Sequence, residues 1–268
     1  MKHKSDNFYI FGKKPIEEQL LKNPENIMRI FISDFLIKHE AASAQIIRDH
    51  AKEHHIPVSS ISKNNIKKYV GDVNTQGVIA LVKKHHFYTF DEWEEEVYAR
   101  KKDLGEKQAV LILDGVQDTH NYGAILRSAA AVGVSAVFVP KDRQAPVNGT
   151  VFKTSAGAIL RVPIVQVANI NQSILKLQKM RFWVAAVDME REEKESQSLF
   201  TQNLDDNMAF VLGSEGKGIS EKTREHSDFI LFIPMENGVE SLNVSVAAAV
   251  VLYEWKRQIV NVSKNESK

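Results

Sequence analysis

The chain is 268 residues long, 43% hydrophobic and 26% charged, which are the proportions of an ordinary globular protein and exclude disordered, collagen-like and coiled-coil classes. With 35 Lys and Arg against 34 Asp and Glu, the net charge of +1 gives no sign of a polyanion partner at whole-chain level. Cysteine is absent, so disulfide scaffolds, thiolate metal sites and cysteine nucleophiles are excluded. The length exceeds the roughly 100–200 residues usual for one domain, so one large or two modest domains are expected. No run approaches the roughly 18 apolar residues of a membrane span, and no apolar signal core follows the basic start. No membrane attachment is expected, and a cytoplasmic location is compatible with this composition.

Charge is uneven along the chain. Residues 1–90 carry 14 basic and 9 acidic side chains and seven of the nine histidines, which makes this part the better candidate for a polyanion-facing surface. Apolar runs at 8–11, 28–32 and 77–82 read as strands, and helical spacing covers 16–21, 40–54 and 63–69. This predicts a small α/β domain over 1–85. An acidic, aromatic stretch follows, and 86–107 reads as a linker with one short helix. From 108 to 262 the strands at 109–113, 136–139, 182–187, 209–212 and 229–233 are continuous apolar runs, as in a parallel sheet covered on both faces. Residues 122–132 are Ala-rich and helical, a strong helix spans about 242–258, and 263–268 reads as a polar tail.

Ligands of open parallel sheets bind beyond the carboxyl ends of strands, so the residues that follow each apolar run are the candidates for function. After Leu113 comes a polar loop ending in Asn121-Tyr122-Gly123-Ala124-Ile125-Leu126-Arg127. Taken alone, Asn121 reads as a helix cap and Arg127 as a surface arginine. After Leu212 comes Gly213-Ser214-Glu215-Gly216-Lys217-Gly218, whose glycines let backbone amides approach a ligand closely or simply make a tight turn. It matches neither the dinucleotide fingerprint nor the phosphate loop. After Ile233 comes Pro234-Met235-Glu236-Asn237-Gly238-Val239-Glu240-Ser241-Leu242-Asn243, where Ser241 and Asn243 could serve only to start a helix.

In order and spacing, these three segments resemble the motifs of the SpoU class of SPOUT RNA methyltransferases. Lys153-x-Ser155-Ala156-Gly157-Ala158 before Val162-Pro163 is similar to a fourth element of that class. The resemblance covers about 108–258. The start Phe11-Gly12-Lys13-Lys14-Pro15 and the turn Thr75-Gln76-Gly77-Val78 resemble the substrate-binding domain of the ribosomal-RNA guanosine 2′-O-methyltransferases. The tRNA-specific branch usually lacks that domain.

The resemblance implies an α/β protein with a C-terminal trefoil-knot domain on a mostly parallel sheet and a smaller N-terminal α/β/α sandwich. It implies S-adenosylmethionine as cofactor, held at Gly213, Ile233 and Leu242. It implies methyl transfer to a ribose 2′-hydroxyl of large-subunit (23S) ribosomal RNA, at a guanosine, by a homodimer that shares the RNA site between subunits. The catalytic set it implies is Arg127, Asn121, Glu215, Ser241 and Asn243. In the family, the residue at Arg127 takes the hydroxyl proton. Because guanidinium groups hold their protons tightly, a phosphate clamp is the alternative role. The competing readings are a tRNA ribose methyltransferase, a non-catalytic RNA-binding or ribosome-assembly module, and, more distantly, a nicotinamide-dependent dehydrogenase. No metal is expected, because His54-His55 and His85-His86 lack the i, i+4 spacing that puts two ligands on one helix face.

Overall fold

The computed structural model describes residues 8–83, 86–189, 196–214, 216 and 218–266, without the side chains of 262–266. The chain divides into two compact units, one built from residues up to 85 together with 146–157, the other from 86–145 and 158–268. Among the described residues, no helix is long and apolar enough to cross a membrane.

The first unit begins with β1 (Phe8–Phe11) and α1 (Lys13–Lys22). There follow β2 (Ile27–Ser33), α2 (Asp34–His39), α3 (Ala41–Glu53), β3 (Val58–Ile61), α4 (Lys63–Val70) and β4 (Val78–Val82). The sheet is mixed, in the order β1-β4-β2-β3, with β4 antiparallel to both neighbours and β2 parallel to β3. Its inner position explains why β4 is an unbroken apolar run. On α3, Ala44, Ile47 and Ala51 recur at helical spacing and are buried. Neither β3, with its sequence Val-Ser-Ser-Ile, nor the six-residue α2 has a periodic apolar pattern long enough to be read in advance.

The second unit carries an eight-stranded sheet. Its strands are β5 (Phe87–Tyr88), β6 (Ala109–Asp114), β7 (Ala136–Pro140), β8 (Ile164–Val167), β9 (Trp183–Val187), β10 (Ser196–Ser198), β11 (Met208–Gly213) and β12 (Phe229–Phe232). The order is β10-β12-β9-β11-β6-β7-β8-β5, and each described neighbouring pair is parallel. The buried runs of β6, β7, β9 and β11 follow from this all-parallel arrangement.

Residues 86–107 correct the expectation of a linker. β5 pairs with β8, and α5 (Phe90–Trp93), a π-helical turn (Glu94–Tyr98) and α6 (Ala99–Asp103) run on from it. Phe90, Trp93, Val97 and Tyr98 sit in the core of the unit, and the Trp93 indole N–H donates to the Ser135 carbonyl at 3.1 Å. The acidic residues that suggested a linker occupy the other side of the helix, with Glu95 and Glu96 exposed.

The remaining helices are α7 (Thr119–Val132), α8 (Gly149–Thr154), α9 (Ile170–Lys179), α10 (Glu221–Glu225) and α11 (Val244–Glu266). α8 belongs to the first unit, where it packs on β1; a β-carbon on Gly149 would lie 2.3 Å from the Tyr9 carbonyl oxygen. α11 continues through the residues expected to form a polar tail, as far as Glu266. α7 and α11 pack against each other, and Ala248, Val251, Leu252 and Trp255 form the buried face of α11.

Candidate active site

The three motif segments leave the sheet from strands that stand close together. β6 and β11 are in register up to Leu113↔Leu212 and Asp114↔Gly213, so the first and second motifs start side by side. β11 also pairs with β9, and β9 with β12, which leads into the third motif. This is the carboxyl-end crevice where a parallel sheet gathers polar loops.

In the first motif, Asp118 and not Asn121 caps α7, its carboxylate accepting the Asn121 backbone N–H at 2.8 Å. Asn121 therefore lies in the first turn, which leaves its side chain for another partner. That partner is Asn243, whose Nδ2 donates to Asn121 Oδ1 at 3.1 Å. Asn243 itself caps α11, its Oδ1 accepting the Ser245 backbone N–H at 2.9 Å and the Ser245 hydroxyl at 2.6 Å. Two residues of the expected catalytic set, far apart in the chain, are thus brought together. Arg127 is exposed on α7, six residues beyond Asn121.

In the second motif the chain folds back on itself directly after β11. Ser214 and Gly218 form an antiparallel bridge, with Ser214 N–H donating to Gly218 O at 3.2 Å and Gly218 N–H to Ser214 O at 2.9 Å. A β-carbon on Gly213 would lie 2.1 Å from the Gly218 carbonyl carbon, so the fold-back leaves no space for a side chain there. Gly216 and Gly218 have left-handed φ values of 83° and 63°. Glu215, expected in the catalytic set, lies outside the described residues, as does Lys217.

A cavity of about 1010 Å³ opens at these strand ends. Its lining brings together Gly213, Ile233 and Leu242, the three residues expected to hold a cofactor, with Ser241 and Asn243. Asn121 is linked to it through Asn243, and Arg127 is not among its described lining residues. Leu212, Met235, Val239, Val244 and Ala247 add apolar wall, and Asp188, Glu236 and Glu240 bring carboxylates; no Lys or Arg occurs among the described lining residues. The volume stands at the top of the roughly 300–1,000 Å³ usual for small-molecule sites.

The sequence reading passed over Asp188 and Met189, which extend the wall beyond β9. The rule that found the other segments, polar residues after an apolar run, applies equally to Asp188. A charged run at 190–194 follows Met189 directly in the sequence. Arg224 on α10 was also missed: its Nη2 and Nε donate to Asp188 Oδ2 at 2.9 and 3.2 Å.

Residues 108–253 match the model of the SpoU rRNA Methylase family, and residues 9–88 match the model described as RNA 2′-O ribose methyltransferase substrate binding. The 23S rRNA (guanosine-2′-O-)-methyltransferase RlmB of Xanthomonas campestris pv. campestris is 40% identical over 256 residues, covering 94% of this chain and 97% of its own. The structure of a putative RNA methyltransferase of the TrmH family from Porphyromonas gingivalis superposes with a TM-score of 0.71 at 25% identity, over 94% of this chain and 90% of that one. The SpoU methyltransferase AviRb from Streptomyces viridochromogenes, in complex with AdoMet, shares the fold with a TM-score of 0.72 at 20% identity, over 96% of this chain and 92% of its own. With both its parts matched and a relative aligned over nearly its whole length, the chain belongs to the SpoU rRNA methylase family.

Proposed function

We propose that this protein transfers the methyl group of S-adenosylmethionine to the ribose 2′-hydroxyl of a guanosine in 23S ribosomal RNA. The observation that carries the proposal is the cavity at the strand ends, where Gly213, Ile233 and Leu242 meet Ser241 and Asn243. The RNA class follows the relatives, which are 23S rRNA guanosine 2′-O-methyltransferases aligned over more than nine-tenths of this chain.

The residues present fit such a cofactor. Apolar walls suit an adenine, and the Glu236 and Glu240 carboxylates of the lining suit a ligand that carries a sulfonium and an ammonium group. Gly213, Ile233 and Leu242 would hold it. When bound there, S-adenosylmethionine supplies a methyl group activated by positive sulfur.

A ribose hydroxyl is a poor nucleophile at neutral pH and needs an acceptor for its proton or local positive charge that favours its anion. In this reading Arg127 supplies one of these, as base or as clamp on a phosphate of the RNA. Its exposed position on α7 supports the clamp, which requires no deprotonation. Asn121, Ser241 and Asn243 orient the ribose and its phosphate at the start of α11, and Glu215 completes the set. Residues 1–85 grip the RNA and residues 108–262 carry the reaction, the latter with the deep trefoil knot expected of the class. The protein works in the cytoplasm as a homodimer, with the RNA site shared between subunits.

The test is transfer of labelled methyl to ribosomal RNA and to tRNA, both from cells lacking the gene, by wild type and Arg127→Ala. Incorporation into 23S RNA at a nuclease-resistant position, lost in the variant, is expected. Incorporation into tRNA alone would move the substrate to the other branch of the class. Failure to bind S-adenosylmethionine would leave a non-catalytic RNA-binding module.

A further inference from the structure

α10 is a helix of five residues, yet it joins three parts of the candidate site. Ser220 caps it and shares a hydrogen bond of 2.7 Å with the Thr223 hydroxyl, and the buried Thr223 Oγ1 also donates to Asp114 Oδ2, at the end of β6, at 3.3 Å. Arg224 donates through Nη2 and Nε to Asp188 Oδ2, just beyond β9, and through Nη2 to the Ile219 carbonyl at 3.3 Å. Ile219 is the first residue after the glycine hairpin of 214–218. The pair is largely withdrawn from solvent, with 19% of the Arg224 side chain and 9% of the Asp188 side chain exposed.

We infer that Arg224 is a positioning residue for cofactor binding: by bridging Asp188 and the Ile219 carbonyl, it fixes the glycine hairpin against the end of β9 and so sets one wall of the cavity before any ligand arrives. The inference rests on reading that cavity as the cofactor site.

The hairpin needs such a clamp. Three of the residues from 213 to 218 are glycines, which lose more conformational freedom on ordering than any other residue, and among the described residues the bridge between Ser214 and Gly218 supplies two hydrogen bonds. Tethering its exit to a strand end reduces that freedom in the absence of ligand, and ordering a loop in advance removes a cost from binding. The chemistry of arginine matters as well. A planar guanidinium aims several N–H groups in fixed directions and can serve a carboxylate and a carbonyl together, whereas the ammonium of lysine is a single compact point. A buried ion pair adds little to global stability, so an effect confined to this loop and its ligand is the reason to expect one here.

The test uses the full-length protein in two measurements. Hydrogen exchange without cofactor reads the hairpin directly. In Arg224→Ala the amides of 214–219 should exchange at least about tenfold faster while those of β6 and β7 stay protected, since local openings are independent of the global one. Equilibrium binding of S-adenosylmethionine reads the consequence: Kd should rise about tenfold or more. The KM for the cofactor should rise with it, while kcat changes much less, because the lost interaction is made equally in ground and transition state. Arg224→Lys should fall between wild type and Arg224→Ala in both measurements, and it takes over the test if the alanine variant does not fold.

Unchanged exchange at 214–219, or a cofactor Kd within about twofold of wild type, would overturn the inference. A uniform loss of protection across the sheet would also overturn it, showing a structural ion pair instead. If wild type binds no S-adenosylmethionine, the cofactor reading fails, and the ligand-free exchange measurement still decides whether Arg224 holds the hairpin.

Discussion

The Asn243 side-chain amide donates to Asn121 Oδ1 at 3.1 Å across a sequence separation of 122, tying the first turn of α7 to the cap of α11. The two residues carry different loads. Asn243 also caps α11 through its Oδ1, whereas Asn121 leaves the capping of α7 to Asp118. Asn243→Ala should therefore cost about 1 kcal/mol of stability for the lost cap, beyond whatever the shared hydrogen bond contributes. Asn121→Ala should cost less than that. Both should reduce methyl transfer. In a double-mutant cycle read by urea unfolding, the pair should couple by about 0.5–1 kcal/mol. Additive losses would mean that the contact contributes nothing, and equal losses for both single variants would contradict the division of labour.

The glycine hairpin separates two reasons for glycine. At Gly213 the reason is space, since the position of a β-carbon is taken by the Gly218 backbone. At Gly216 it is conformation, with φ at 83° and no atom within 4 Å of an added β-carbon. Gly213→Ala must displace backbone and should cost about 1–3 kcal/mol together with cofactor binding. Gly216→Ala pays only for the left-handed conformation, roughly 1–2 kcal/mol. Its binding loss should be the smaller of the two. Measured cofactor affinities in the reverse order would show that the hairpin shifts easily to admit a methyl group at Gly213.

Much of this architecture was legible in the sequence, and what was not has physical causes. The buried parallel strands announce themselves as apolar runs, and the three motifs stand at their ends. The element at 86–107 was misread because Glu94, Glu95 and Glu96 dominate its composition, although Phe90, Trp93, Val97 and Tyr98 already lie at helical spacing. The cap of α7 was assigned to Asn121 when Asp118, three residues earlier and equally suited to the role, takes it. Asp188 and Arg224 are 36 residues apart, and no local pattern pairs them; only the placement of β9 beside β11 and β12 does so.

Tyr122, next to Asn121, is completely buried, and its hydroxyl has no hydrogen-bond partner among the described residues. Burial alone pushes its pKa well above the ordinary tyrosine value. Tyr122→Phe removes a desolvated polar group with nothing to lose and should stabilise the protein at neutral pH by about 1 kcal/mol. The sign of the pH effect follows from the raised pKa. Below about pH 10 the tyrosine is neutral in both states and its contribution is intact; above that, the unfolded chain ionises while the folded one resists, so stability falls as pH rises. Urea midpoints of wild type and variant from about pH 8 to about pH 11 should therefore diverge in favour of the variant as pH climbs. A variant less stable than wild type at neutral pH would show that the hydroxyl has a partner after all, such as a buried water.

The outer face of α11 bears on the proposed homodimer. Val246, Tyr253 and Val260 are exposed at 46%, 55% and 39% and recur every seven residues, so they form one stripe on a helix whose opposite face holds Ala248, Val251, Leu252 and Trp255 in the core. An apolar seam of this kind is costly to leave in water and suits a self-complementary contact about a two-fold axis. Tyr253→Glu places like charges opposite or near each other in such a contact while leaving the buried face untouched. Wild type should run as a dimer in light scattering coupled to size exclusion, and the variant should shift toward monomer with its thermal unfolding little changed. Because the RNA site is proposed to be shared between subunits, methyl transfer should fall with the dimer fraction, and raising the protein concentration should restore it. A variant that stays dimeric at low concentration would remove α11 from the interface, and a monomeric variant with full activity would show that one subunit suffices.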